Sequence, residues 1–351
     1  MKKFNSLLFL LLATTFFTIS CNDDDTVVDQ IFPNGNAMRY ELGTKDVAGI
    51  SGAAIIKENT DGSITVDLSL AGTPVGGMHP AHIHFNTAAE GGGIAISLDP
   101  VVGDIGKSST TFTQLDDGTS ITYNELINFD GYINVHLSAN DLSTIVAQGD
   151  IGQNALTGMT KTFDLGEKDV AGISGDVTFS ERVNGEALAT IMLSGTPAGG
   201  SHPAHIHANS ALEGGNILFS FNAVDGSSGM SMTNVAAYDN GNPLRFSDLN
   251  TIDAYINVHL SASQLGTIVA QGDIGENDLT GNTTTYDLGE KDVTGISGDV
   301  VFSERMNGEA VAEIMLTGTP ANGVHPAHIH ANTAAEGGNI LFTFNAVDGN
   351  T

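Results

Sequence analysis

Apolar and polar residues alternate with period two over short stretches along most of the chain. Ile64, Val66, Leu68 and Leu70 are separated by Thr65, Asp67 and Ser69, the pattern of a strand with one buried face. Leu188, Ile191 and Leu193 occupy a matching but more apolar run. Asp61-Gly62, Asn184-Gly185 and Asn307-Gly308 precede these runs, and such dipeptides favour tight hairpin turns. No stretch sustains a long helical period, although Asn124 to Phe129 could hold one short helical turn. The pattern predicts an all-β chain of about eight short strands per unit, arranged as a Greek-key β-sandwich or flattened barrel.

The units repeat. His79-Pro80-Ala81-His82-Ile83-His84 recurs from His202 to His207 and from His325 to His330, with 202 − 79 = 123 and 325 − 202 = 123. Tyr132 to Ser138 recurs as Tyr255 to Ser261, with 259 − 136 = 123 for the histidine inside it. A period this long is a whole domain and not a solenoid unit. The register places repeat one at 38–159, repeat two at 160–282 and a truncated repeat three at 283–351. Repeat three stops at the counterpart of Asn222 to Gly226, before the Tyr-Ile-Asn-Val-His strand. It is expected to be cut from a longer chain; strands supplied by a partner are the alternative.

Residues 1–20 resemble a secretory signal, with Lys2 and Lys3 ahead of an apolar run from Leu7 to Ile19. Ser20 then precedes Cys21, the only cysteine. This resembles a bacterial lipoprotein signal, with lipid added to Cys21, although Thr18 and Ile19 depart from the usual residues before the cleavage point. Residues 21–37 form a polar tether that opens on the acidic run Asp23-Asp24-Asp25. The expected location is the outer membrane, lipid-anchored and surface-exposed. The only membrane contact expected is this anchor. Net charge is −29, which excludes nucleic acid and anionic lipid surfaces as natural partners. An extracellular protein or surface partner stays open.

All eleven histidines fall in the two recurring stretches. If His82-Ile83-His84 is a strand, His82 and His84 share one face, about 6.6 Å apart at their Cα atoms, and Ile83 points to the other. In the second stretch Tyr132, Asn134 and His136 share a face opposite Ile133, Val135 and Leu137. Should the two strands be neighbours, His82, His84 and His136 converge outside the core, with His79 beside them. The corresponding set in repeat two is His205, His207 and His259, with His202 accessory. Repeat three offers His325, His328 and His330 without a fourth, so its site is expected to be weak or empty. Clustered imidazoles suit copper, zinc or nickel. A scaffold role for the same histidines is the alternative. Glu90, Glu213 and Glu336 follow each cluster and read as loop residues more readily than as ligands. Gln148-Gly149-Asp150 and Gln271-Gly272-Asp273 read as turn chemistry, as do Asp116-Asp117-Gly118 and Asp239-Asn240-Gly241. None of these has full calcium-loop spacing.

Ala81 to His84, Gly91-Gly92, Tyr132 to His136 and Ile145 to Gly149 together resemble the CHRD (chordin-type) domain family. The resemblance covers repeats one and two and the first half of repeat three. It implies exported, often repeated β-sandwich modules with no established catalysis. Ala147 and Ala270 stand where that family carries an arginine. A more distant likeness is to copper/zinc superoxide dismutase. It implies that His82, His84 and His136 match copper ligands and His79 a structural histidine. No histidine lies between Phe85 and Gly131 and no cysteine pair exists, so that family's zinc ligands and disulfide are missing. The fold expected from these likenesses is a tandem Greek-key β-sandwich, immunoglobulin-like or superoxide-dismutase-like.

Taken together, the sequence points to a non-catalytic extracellular binding module holding copper or zinc in a three-His site per complete repeat. A copper-only redox protein of dismutase type and an adhesive spacer with scaffold histidines are the competing readings.

Overall fold

The computed structural model describes residues 35–350. The expected signal segment, Cys21 and the tether as far as residue 34 lie outside the described residues. Repeat one consists of β1 (Ala37–Thr44), β2 (Ser51–Glu58), β3 (Ile64–Ala71), β4 (Met78–Phe85), β5 (Ile94–Val102), β6 (Lys107–Phe112), β7 (Asp130–Ser138) and β8 (Asp141–Gly152). A single short helix, α1 (Tyr123–Leu126), falls in the stretch expected to hold one turn. Thr122 caps it, and Glu125 returns its carboxylate to the Thr122 backbone amide.

All the strand pairings are antiparallel, and the ladders close in the order β1-β2-β3-β6-β5-β4-β7-β8, with β8 returning to β1. β4, β5 and β6 follow one another, while β7 returns to lie beside β4, which is a Greek-key connection. The chain is therefore all-β and Greek-key as expected, and in repeat one the hydrogen bonding runs all the way round a barrel. Closure removes free strand edges.

Alternation sets what faces inward. Ile64, Val66, Leu68 and Leu70 are all buried and join one apolar core. The turn before them places Gly62 at φ +83°, and Asp61 accepts the Ser63 amide at 3.0 Å. That core runs from Tyr40 to Ala155, and a second, separate core runs from Phe163 to Ile274.

Repeat two keeps the same neighbours without the closed ladder of repeat one. Its strands are β9 (Leu156–Glu167), β10 (Ser174–Arg182), β11 (Ala187–Ser194), β12 (Ser201–His202), β13 (Ala204–Ala208), β14 (Ile217–Ser220), β15 (Val224–Asp225), β16 (Met230–Val235), β17 (Asp253–Ser261) and β18 (Gln264–Gly275). They form a ten-stranded sheet in the order β12-β15-β16-β11-β10-β9-β18-β17-β13-β14. β12 and β13 together correspond to β4, with Pro203 between them, whereas Pro80 stands at the same place inside an unbroken β4. β14 and β15 likewise divide the counterpart of β5.

The junction between repeats is bonded and not a free linker. β9 begins at Leu156, ahead of the boundary set by the 123-residue period, and Leu156 pairs with Arg182. The Val183 amide donates to the Ala155 carbonyl at 2.9 Å, and the Asn184 amide to the Gln153 carbonyl at 3.0 Å. Met306 to Asp278 and Asn307 to Glu276, both 2.9 Å, repeat this contact at the next junction.

Repeat three has β19 (Leu279–Leu288), β20 (Ser297–Arg305) and β21 (Ala310–Thr317) in one sheet. Two separate pairs follow: β22 (Val324–His325) with β25 (Val347–Asp348), and β23 (His328–His330) with β24 (Ile340–Thr343). Among the described residues nothing corresponds to β17 and β18. An apolar trough of about 720 Å³ lies open where the core of a barrel would be, lined by Tyr286, Phe302, Ile314 and Phe344 among others.

Candidate metal centre

The two histidine strands are neighbours. In repeat one, β4 pairs with β7, with His82 opposite Asn134, Ile83 opposite Ile133 and His84 opposite Tyr132. Ile83, Ile133 and Val135 are fully buried in the core, so the histidines occupy the outer face of the barrel. In β8, Val146 is an extra residue between the partners of Val135 and His136, forming a β-bulge beside the third ring.

Three rings meet on that face. His82 and His136 have centroids 5.0 Å apart, His82 and His84 5.7 Å, and His84 and His136 6.3 Å. In repeat two the corresponding separations are 5.0, 5.8 and 6.2 Å for His205, His207 and His259. In each group one ring nitrogen per residue lies within 4.8 Å of the others, close enough for the group to hold a metal ion. Two ligands of one tetrahedral ion sit about 3.3 Å apart, so the rings would draw slightly inward around an ion.

The protonation of each ring follows from its partner. His84 Nδ1 is 3.0 Å from the Gly92 carbonyl, and His136 Nδ1 is 2.7 Å from the Leu142 carbonyl. A carbonyl can only accept, so both Nδ1 atoms carry hydrogen, and in the neutral ring the lone pair lies on Nε2. His207 with Gly215 at 3.0 Å and His259 with Leu265 at 2.7 Å repeat the arrangement. In repeat two, His205 Nδ1, His207 Nε2 and His259 Nε2 are buried and lack a hydrogen-bond partner. Buried polar atoms are seldom left in that state, and such atoms mark a site for an ion or water. In repeat one, His82 Nδ1 and His136 Nε2 lie 3.0 Å apart and share a hydrogen bond.

Burial pulls His82, His136, His205 and His259 below the ordinary imidazole value. Neighbouring histidines add to the effect at all four. At neutral pH these rings are uncharged, the form that binds metals. Asp116 lies near His82 and opposes the shift, as Asp239 does at His205. Each aspartate is held by a serine opposite the first ligand, with Ser97 Oγ to Asp116 at 2.7 Å and Ser220 Oγ to Asp239 at 2.8 Å.

The accessory histidines stand outside the three-ring groups. His79 and His202 are almost fully buried, and each Nδ1 donates to the backbone carbonyl of the third histidine, His136 or His259, at 3.2 Å. Their role is to anchor the β7 and β17 backbone. In repeat three, His328 and His330 keep the 5.8 Å edge-to-face arrangement, and His330 Nδ1 donates to the Gly338 carbonyl at 2.9 Å. His325 corresponds to His79 and His202. No three-ring group forms there among the described residues.

Glu90, Glu213 and Glu336 turn back on their own loops, each accepting from the hydroxyl of Thr87, Ser210 or Thr333. Sequence reasoning gave no role to Tyr132 and Tyr255, whose rings stack on His84 and His207 at 4.9 and 5.0 Å. Their position on the histidine face was the available signal. Asp116 and Asp239, read as turn residues, lie near His82 and His205. Gly92 is also required, since a Cβ there would come within 2.0 Å of the Phe85 carbonyl oxygen while its own carbonyl orients His84.

No family model, curated protein or solved structure matches this chain.

Proposed function

We propose that the chain is an extracellular binding protein of tandem CHRD-like domains. Each complete repeat holds one copper or zinc ion through three histidines, and the chain is tethered to the outer membrane by lipid on Cys21. The observation that carries the metal reading is the set of three converging, buried and partnerless nitrogens on His205, His207 and His259. A matching ring group recurs in repeat one at His82, His84 and His136. Neutral imidazole donors select borderline metals over calcium or magnesium, which prefer oxygen.

A second reading is a copper-only redox protein. Three protein ligands leave a coordination position free for a small molecule, and this favours it. The charge of −29 opposes anionic substrates, and no Lys or Arg recurs beside both sites; Lys107, for example, has Met230 as its counterpart.

The test is a metal count. The chain from Gly35 onward, carrying no His tag, is loaded with excess Cu(II) or Zn(II), desalted and analysed by native mass spectrometry. Retention of one ion for each of the two three-His groups is expected, and His84→Ala/His207→Ala should retain none. No retained metal in the parent overturns both metal readings. Turnover of superoxide by the copper-loaded parent would replace the binding reading with the redox one.

A further inference from the structure

Asp150 and Asp273, read from sequence as turn residues, each join a histidine loop to the next repeat. Asp150 accepts the Ala88 amide on one carboxylate oxygen at 2.7 Å and Arg182 Nη1 on the other at 2.7 Å. Asp273 accepts the Ala211 amide at 2.7 Å and Arg305 Nη2 at 2.7 Å. Each arginine belongs to the repeat after its aspartate, and 305 − 182 = 123 and 273 − 150 = 123, so the joint is copied with the domain.

Arg182 is fully buried and Arg305 nearly so. Arg182 also donates Nε to Asn234 at 2.8 Å and Nη1 to the Asn154 carbonyl. The Asn154 side chain in turn donates to the Asn86 carbonyl at 3.1 Å, a second tie into the same loop. The position corresponding to Arg182 in repeat one is Asn59, whose amide only spans its own turn to Ser63 and Thr65. Repeat one follows no other repeat in this sequence, and it is the one without the arginine.

The tethered loop is short and compact. It runs from Asn86, in the left-handed region at φ +68°, through the turn closed by Gly91 N on the Thr87 carbonyl at 2.9 Å. It ends at Gly92, whose carbonyl receives the His84 Nδ1 hydrogen and whose amide donates to the Tyr132 hydroxyl at 3.2 Å. Groups that orient a metal-binding histidine through its second nitrogen govern affinity.

We propose that Arg182 and Arg305 are positioning residues for the three-His site of the preceding repeat. Each arginine fixes the aspartate that pins the histidine loop, and that loop holds the acceptor that orients His84 or His207. A repeat is thus completed as a binding site by its successor. This rests on the metal-binding reading above, and the test separates the two.

Four full-length variants measure each site alone. In a His207→Ala background, which leaves site one, Arg182→Asn is expected to weaken Cu(II) binding about tenfold, and Arg305→Asn to leave it unchanged. In a His84→Ala background, which leaves site two, the pattern reverses. Arg182→Lys, which keeps the charge but not the fork, should recover part of the loss. Circular dichroism confirms that each variant is folded. Equal losses at both sites, or none at either, overturn the proposal. The metal-free chain supplies a readout that does not depend on metal. The imidazole Nδ1–H signal of His84, identified by its loss in His84→Ala, should exchange with water faster in Arg182→Asn, while that of His207 stays slow. Should the parent retain no metal, the metal reading fails and this proton alone decides the relay; unchanged exchange overturns it.

Discussion

Phe219 in repeat two is 6% exposed, whereas its counterpart Phe342 in repeat three is 55% exposed; Ile206 is fully buried and Ile329 is 37% exposed. The residues match, so the difference comes from β17 and β18, which cover that face in repeat two and have no counterpart among the described residues of repeat three. The same comparison divides the three-His group. The pair His328 and His330 keeps the ring geometry and the Gly338 bond seen at His207 and Gly215. Two of the three donors are therefore set by one local hairpin and its loop. The third depends on a strand more than fifty residues away in sequence, 259 − 207 = 52. Local chemistry prepares the site, and the distant strand completes it.

The comparison can be broken at the site itself. His259→Ala leaves repeat two with only the two rings that repeat three has. Its Cu(II) affinity should fall on the order of a thousandfold, about 4 kcal/mol, with site one unaffected, as titration with a competing chelator would show. The core offers a gentler break. Ile256 is fully buried opposite Ile206, and Ile256→Ala should cost repeat two about 2–5 kcal/mol, read as a lower urea midpoint for that repeat. The smallest expected effect is on pH. The lowered values of His82, His136, His205 and His259 mean that the unfolded chain takes up protons below about pH 6.5 while the folded rings do not. Protonation then favours the unfolded state, so metal-free stability should fall on acidification through that range. Urea midpoints at pH 7.5 and 5.5 check the sign; a higher midpoint at pH 5.5 would contradict it.

Much of this was legible in the chain. Strict alternation in Ile64 to Leu70 and in Ile133 to Leu137 showed which face enters the core, and the same rule put His82, His84 and His136 outside it. Their convergence could not be read so directly, because it needs β4 beside β7, a pairing made by a Greek-key connection over residues 86–129. Arg182 and Asp150 were missed for a related reason. Each looks ordinary in its own stretch, and their meeting depends on how one repeat joins the next. Asp116 was legible only as a turn, since its place near His82 comes from β5 lying beside β4.

The carbonyls of Gly92 and Leu142, with those of Gly215 and Leu265, have a consequence for uptake. They hold hydrogen on Nδ1 of His84, His136, His207 and His259, and in repeat two the Nε2 atoms of His207 and His259 are left without a partner. In repeat two an arriving ion would meet these two nitrogens with Nδ1 already carrying the hydrogen, whereas in repeat one the bond between His82 and His136 would first have to open. At neutral pH His259, which burial holds below the ordinary imidazole value, would take an ion almost without releasing a proton, and its share of the heat of uptake would depend little on which buffer is present.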